Sequence, residues 1–135
     1  MSTEIATAPL SKSGVWTARA MSGLAIVFFA MDAGIHIAKP TPVVEAFEKL
    51  GYPIGAAVGI GLLELICLIT YVIPRTAILG AVLITGVLGG AVSTQLRAGG
   101  TPFETYIFPF IVGVLVWGSL WLRDSRLRDV LPVRR

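Results

Sequence analysis

Charge is scarce in this 135-residue chain: Asp, Glu, Lys and Arg together make up 14% of it, against ~25% in an ordinary soluble domain. So few polar groups cannot coat a small soluble protein. The chain has one cysteine, Cys67, which excludes an internal disulfide and a cysteine-based metal cluster. Strand-like alternation of apolar and polar residues is missing. No phosphate-binding loop, nucleophile elbow or haem-attachment motif occurs, and no nucleic acid is expected as a partner. These absences exclude a disulfide scaffold, a large soluble enzyme and a disordered chain.

Hydrophobic residues fill the gap, at 55% of the chain with a mean hydropathy of +0.81. They gather in four blocks, over residues 19–38, 52–73, 76–96 and 102–122. Each block is long enough to cross ~30 Å of hydrocarbon as a helix. A helix satisfies its own backbone hydrogen bonds in lipid. The expected fold is therefore all-α, a four-transmembrane-helix bundle. Residues 1–15 read as a flexible cytoplasmic N-tail, 16–124 as the transmembrane domain and 125–135 as a basic cytoplasmic C-tail. A signal peptide is the rival reading of the first block, but no small-x-small cleavage site precedes a polar mature start.

With four crossings, one side carries Lys12, Arg19, Arg75, Arg123, Arg126, Arg128, Arg134 and Arg135, eight of the eleven basic residues. The positive-inside rule then puts both termini in the cytoplasm, in a bacterial-type plasma (inner) membrane. Trp16, Tyr71, Trp117 and Trp121 are expected at the inner interface, and Tyr52 and Tyr106 at the outer one. The first loop holds a short amphipathic helix, with Thr41 as its cap, Pro42 in its first turn and Gly51 at its end. Val43, Phe47 and Leu50 share its apolar face. It lies on the outer membrane surface or folds over the bundle mouth. In the C-tail, Leu127, Val130 and Leu131 form an apolar edge among arginines, suited to anionic lipid or simply setting topology.

Polar groups inside the apolar blocks carry the functional reading. Asp32 and His36, four residues apart, share one helix face. Glu64 lies near the bilayer centre on a face with Ala57 and Gly61. An intramembrane carboxylate usually faces the bundle interior and has a partner. Gly86, Gly90, Ser93 and Arg97 fall at steps of four, three and four, so Gly86 and Gly90 are expected to pack a neighbouring helix closely and Arg97 to meet the acids. Gln95 adds hydrogen-bonding capacity, and Pro109 removes the donor for the Thr105 carbonyl and kinks the fourth span. The expected site is thus Asp32, His36, Glu64, Gln95 and Arg97, with Gly61, Gly86 and Gly90 as packing positions. The bland alternative is an Asp32–Arg97 and Glu64–Ser93 network that fixes helix register. An Asp/His/Glu set can hold a metal, but no ligand-rich spacing supports one. Cys67 reads as a small core residue.

The run from Phe28 through Asp32 and His36 to Pro40 resembles the first span of the DoxX-like membrane proteins. So do Phe47-Glu48-Lys49-Leu50-Gly51-Tyr52-Pro53, Gly61-Leu62-Leu63-Glu64-Leu65, Ile73-Pro74-Arg75-Thr76, the stretch from Gly89 to Arg97, and the ending from Trp117 to Asp124. The resemblance implies four transmembrane helices and, through wider relatives such as the small subunit of a thiosulfate:quinone oxidoreductase, a redox-accessory role. Glu64 and Arg97 match positions the family makes polar. Gln95 departs from it, since similar sequences often carry His there, and a Gln cannot shuttle protons at neutral pH. The expected function is binding of a quinone or similar apolar small molecule in an outer-half polar pocket. The alternatives are a membrane scaffold for a partner enzyme and a proton-coupled permeation pathway. The expected partners are the lipid bilayer, a membrane or redox protein, and a second copy of the chain.

Overall fold

The computed structural model describes residues 10–130; the rest of the expected N-tail, and Leu131, Arg134 and Arg135 of the expected C-tail, lie outside them. Among the described residues the chain is all-α. The order is α1 (Lys12–Ala38), α2 (Thr41–Leu50), α3 (Ala56–Val72), α4 (Ala77–Ala98), a π-helical turn (Phe103–Ile107) that leads into α5 (Phe108–Arg123), and a short α6 (Ser125–Val130). The first helix begins earlier than its apolar block, because Ser11 accepts a hydrogen bond from the Gly14 N–H and caps it. Residues 12–15 are therefore helical rather than part of a tail.

Among the described residues, three helical stretches are long and apolar enough to cross a membrane: Lys12–Ala38, Ala77–Ala98 and Phe103–Arg123. The fourth apolar helix, α3, has 17 residues and spans about 25 Å at the helical rise. It is shorter than expected because Tyr52–Gly55 forms a turn. Helix α1 packs on α3 and α5, α3 on α4, and α4 on α5, closing a four-membered ring. Ala25, Phe29, Cys67, Leu68, Tyr71, Ala81, Ile84, Val112 and Val116 fill its interior. Large apolar side chains point outward from every wall, among them Leu24, Val27, Leu62, Ile66, Leu79, Val82 and Phe110. A soluble monomer does not carry that much exposed apolar surface; lipid is the solvent for it.

Glycines place two of the helix contacts. A Cβ at Gly61 would stand 2.8 Å from the Ala33 carbonyl oxygen and 3.1 Å from His36 Cβ, so α3 meets α1 backbone to side chain there. A Cβ at Gly80 would collide with the Tyr71 Cα and N. The tight Ile73–Thr76 connection brings these backbones together, and Thr76 Oγ1 donates to the Thr70 carbonyl at 2.8 Å. Gly86 and Gly90, by contrast, face open space: a Cβ at either would have nothing within 4 Å. The expected close packing there is corrected: the buried face of α4 runs through Ala77, Gly80, Ala81 and Ile84, roughly opposite.

Two further expectations change. Tyr71 is 2% exposed, donating to the Val116 carbonyl at 3.0 Å and lying 2.6 Å from Ser119 Oγ; it is a core link between α3 and α5, not an interfacial ring. In α2 the cap is Pro40, whose carbonyl accepts from Val43 and Val44, and Thr41 makes no capping bond. Gly51 ends that helix with φ 78°, a left-handed conformation glycine adopts without strain. Val43 and Phe47 are buried, so α2 folds onto the bundle. In α6, Leu127 joins the core, and Arg128 Nη1 donates to the Leu122 carbonyl at 2.6 Å, satisfying the end of α5.

Candidate functional site

Three polar side chains meet between α1 and α3. Phe29, Ala33 and His36 line the face of α1 that α3 covers, and Ala57, Gly61 and Glu64 line the facing stripe of α3. The missing side chain at Gly61 lets the helices approach beside His36. Glu64, three residues on, then reaches across: its Oε2 lies 3.0 Å from His36 Nδ1. The ring N–H is the donor when the acid is ionised. Asp32, one turn before His36, places Oδ1 3.9 Å from the same nitrogen. Glu64 is 4% exposed, whereas the Asp32 side chain is about one-third open. The Phe47 ring of α2 stands edge-on to the imidazole, 5.7 Å between centroids, and covers it from the mouth.

Asp32 and Glu64 also line a cavity of about 380 Å³. Phe28 and Phe29 from α1 form one wall, and Val87, Leu88 and Ala91 from α4 another. Gln95 contributes an amide from the last turns of α4. Phe103, Glu104, Phe108 and Pro109 close the remaining side. Phe28 makes edge-on contacts with Phe29 and Phe108, at 5.2 and 5.1 Å, so the apolar wall is aromatic and mutually braced.

The π turn supports that last wall. Pro109 cannot donate to the Thr105 carbonyl, and the chain answers with a wider turn in which the Phe108 N–H reaches back to the Phe103 carbonyl. Thr101 and Glu104 brace its start reciprocally: Glu104 Oε2 accepts from the Thr101 N–H at 3.0 Å and its hydroxyl at 2.8 Å, and the Glu104 N–H donates to Thr101 Oγ1 at 3.3 Å. This is a capping box. Its Thr-x-x-Glu signature stands in the sequence, unlike the π turn itself.

Of the five expected site residues, Asp32, His36 and Glu64 converge and Gln95 shares their cavity. Arg97 does not join them. It is exposed one residue from the end of α4 and forms no ion pair among the described residues. The Asp32–Arg97 pairing is therefore corrected, and so is Glu64–Ser93, since Ser93 is exposed on that outer face. The long arginine side chain at a helix end has no need of an intramembrane partner.

Apolar helices of spanning length, outward apolar surface and an internal acid–histidine cluster define a multi-pass helical membrane protein with a polar site inside its bundle. The match of residues 20–119 to a family model makes the kinship specific: the chain belongs to the DoxX-like family. No curated protein and no solved structure matches the chain.

Proposed function

We propose that this protein is a redox-accessory subunit that binds a quinone or a comparable apolar carrier in the cavity beside Asp32 and Glu64. The observation that carries the reading is the composition of that cavity: aromatic walls from Phe28, Phe103 and Phe108 around the polar groups of Asp32, Glu64 and Gln95. A flat ring suits the aromatic walls, the Gln95 amide offers a donor to a carbonyl oxygen, and the two acids supply or accept the accompanying protons. His36, held behind Glu64, positions that acid. Arg97 takes no part. In this reading α3 makes the fourth crossing, and the charge distribution favours both termini in the cytoplasm of a bacterial-type inner membrane; a reporter fused after Arg135 should be active only in its cytoplasmic form. A redox enzyme of the same membrane is the expected partner.

The test is purification of the full chain, organic extraction and mass spectrometry of the extract. The expected result is an isoprenoid quinone retained through purification and depleted in Gln95→Leu and Phe28→Ala. An extract without any redox-active carrier ends the proposal. A second reading, a scaffold for a partner enzyme, draws on the apolar groove between α4 and α5, lined by Thr85, Leu88, Tyr106, Phe110 and Trp117. Copurification of one enzyme together with an extract lacking a carrier would favour it.

A further inference from the structure

We propose that Asp32, His36 and Glu64 form a binding site for one divalent transition-metal cation of the zinc or iron(II) type. One donor atom from each residue lies within 4.8 Å of the other two. His36 Nδ1 is 3.0 Å from Glu64 Oε2 and 3.9 Å from Asp32 Oδ1. Bonds of about 2.0–2.2 Å in tetrahedral geometry separate neighbouring ligand atoms by roughly 3.4 Å, between those two distances. A small rotation of the Asp32 carboxylate completes the set.

The charge balance gives an independent argument. Two carboxylates sit inside an apolar bundle, one of them 4% exposed, and no Lys or Arg pairs with either among the described residues. A neutral imidazole, two carboxylates and one divalent cation sum to zero. A protonated imidazole balances only one of the two carboxylates, so the other must take up a proton or share a cation, and one divalent ion neutralises both at once. The imidazole nitrogen selects a borderline transition metal over calcium or magnesium, which prefer six or more oxygen ligands. Three protein ligands leave a coordination position free, the pattern of a reactive rather than a structural site, and two of them, Asp32 and Glu64, also line the cavity. The donors stand on packed helices, with Gly61 fixing the approach of α3 to α1, so binding needs no loop rearrangement. Phe47 shields the ligating ring. Metal binding here does not depend on the identity of the cavity's organic ligand, and because ligating carboxylates are deprotonated, the metal-bound and the proton-exchanging forms of the site are alternative states.

The experiment uses the full chain, purified in detergent through a tag without histidine, stripped with a chelator and titrated with Zn²⁺ and Co²⁺. The expected result is one ion per chain. His36→Gln and Glu64→Gln should each weaken it by more than the ~10–100-fold that losing an outer-sphere partner costs. Arg97→Gln, outside the cluster, should bind as the wild type does. Because His36 is the chain's single histidine, X-ray absorption of the zinc-loaded wild type assigns the site even if the variants fail to fold. One imidazole nitrogen with oxygen neighbours supports the proposal. No saturable binding, a sulfur-containing or all-oxygen shell, or undiminished binding by a folded His36→Gln variant overturns it.

Discussion

Gly80→Ala adds one methyl group and should cost more than almost any other substitution of that size in this protein. The new Cβ would collide with the Tyr71 Cα and N and stand 2.7 Å from the Thr70 carbonyl carbon. Carbon atoms settle at about 3.5–4.0 Å, so α3 and α4 must separate by ~1 Å or more. The obstructing atoms are backbone and cannot turn aside. Tyr71 is also tied by its hydroxyl to Val116 and Ser119, so moving α3 loosens its hold on α5. Overpacking of this kind costs about 1–3 kcal/mol, and the weakened hydrogen bond adds ~1 kcal/mol. Replacing a helical glycine by alanine returns ~1 kcal/mol. The net loss is therefore about 1–3 kcal/mol. Gly90→Ala is the internal control: it meets nothing within 4 Å and keeps only the propensity gain. Reversible unfolding of both variants in one detergent, followed by circular dichroism, measures the difference. If the two alanine variants fall within ~0.5 kcal/mol of each other, the close approach of α3 and α4 at Gly80 is wrong.

Tyr71→Phe should cost about 0.5–1.5 kcal/mol, because it removes the hydroxyl that bonds the Val116 carbonyl and Ser119 Oγ while Ser119 still donates to that carbonyl at 3.0 Å; the same unfolding assay reads it. Arg97→Leu should shift stability by no more than ~0.5 kcal/mol, since the side chain is exposed and unpaired among the described residues; a large loss would place Arg97 back beside the acids. Gly61→Leu should separate His36 from Glu64, because its side chain enters the space of Ala33 and Ile37. Its effect should appear both as lowered stability and as lost ligand retention by the folded fraction.

The apolar blocks predict α1, α4 and the fourth span because length and hydropathy are local properties. The Asp32–His36 pair is legible for the same reason, as i and i+4 on one helix. Glu64 joins them through its depth and the small residues on its face, features the sequence displays directly. The misreading of Arg97 has a physical cause. Helix α4 carries small residues on two faces, Gly80 and Ala81 on one and Gly86 and Gly90 on the other, and periodicity alone does not say which one meets a neighbour. Arginine on the second face suggests burial, but its nearness to the helix end gives it access to water or headgroups. Tyr71 reads as interfacial from its position near a span end, while the decisive fact, the Ser119 and Val116 partners on α5, depends on tertiary packing. The sequence brings the three donors to one site, but the distances between their ligand atoms depend on how α3 packs on α1, 28 residues away in the chain.

The π turn at Phe103–Ile107 has a consequence for how this scaffold can diversify. It acts as a phase shifter: one surplus residue is accommodated in a single turn, and everything upstream is rotated by roughly 100° relative to α5. Deleting one residue there would narrow the turn to α-helical pitch with a kink at Pro109, swing Phe103 and Glu104 off the cavity wall and leave the contacts of Val112, Val116 and Leu120 in register. Gain or loss of a single codon at this point can thus exchange one wall of the chamber without disturbing the helices that enclose it.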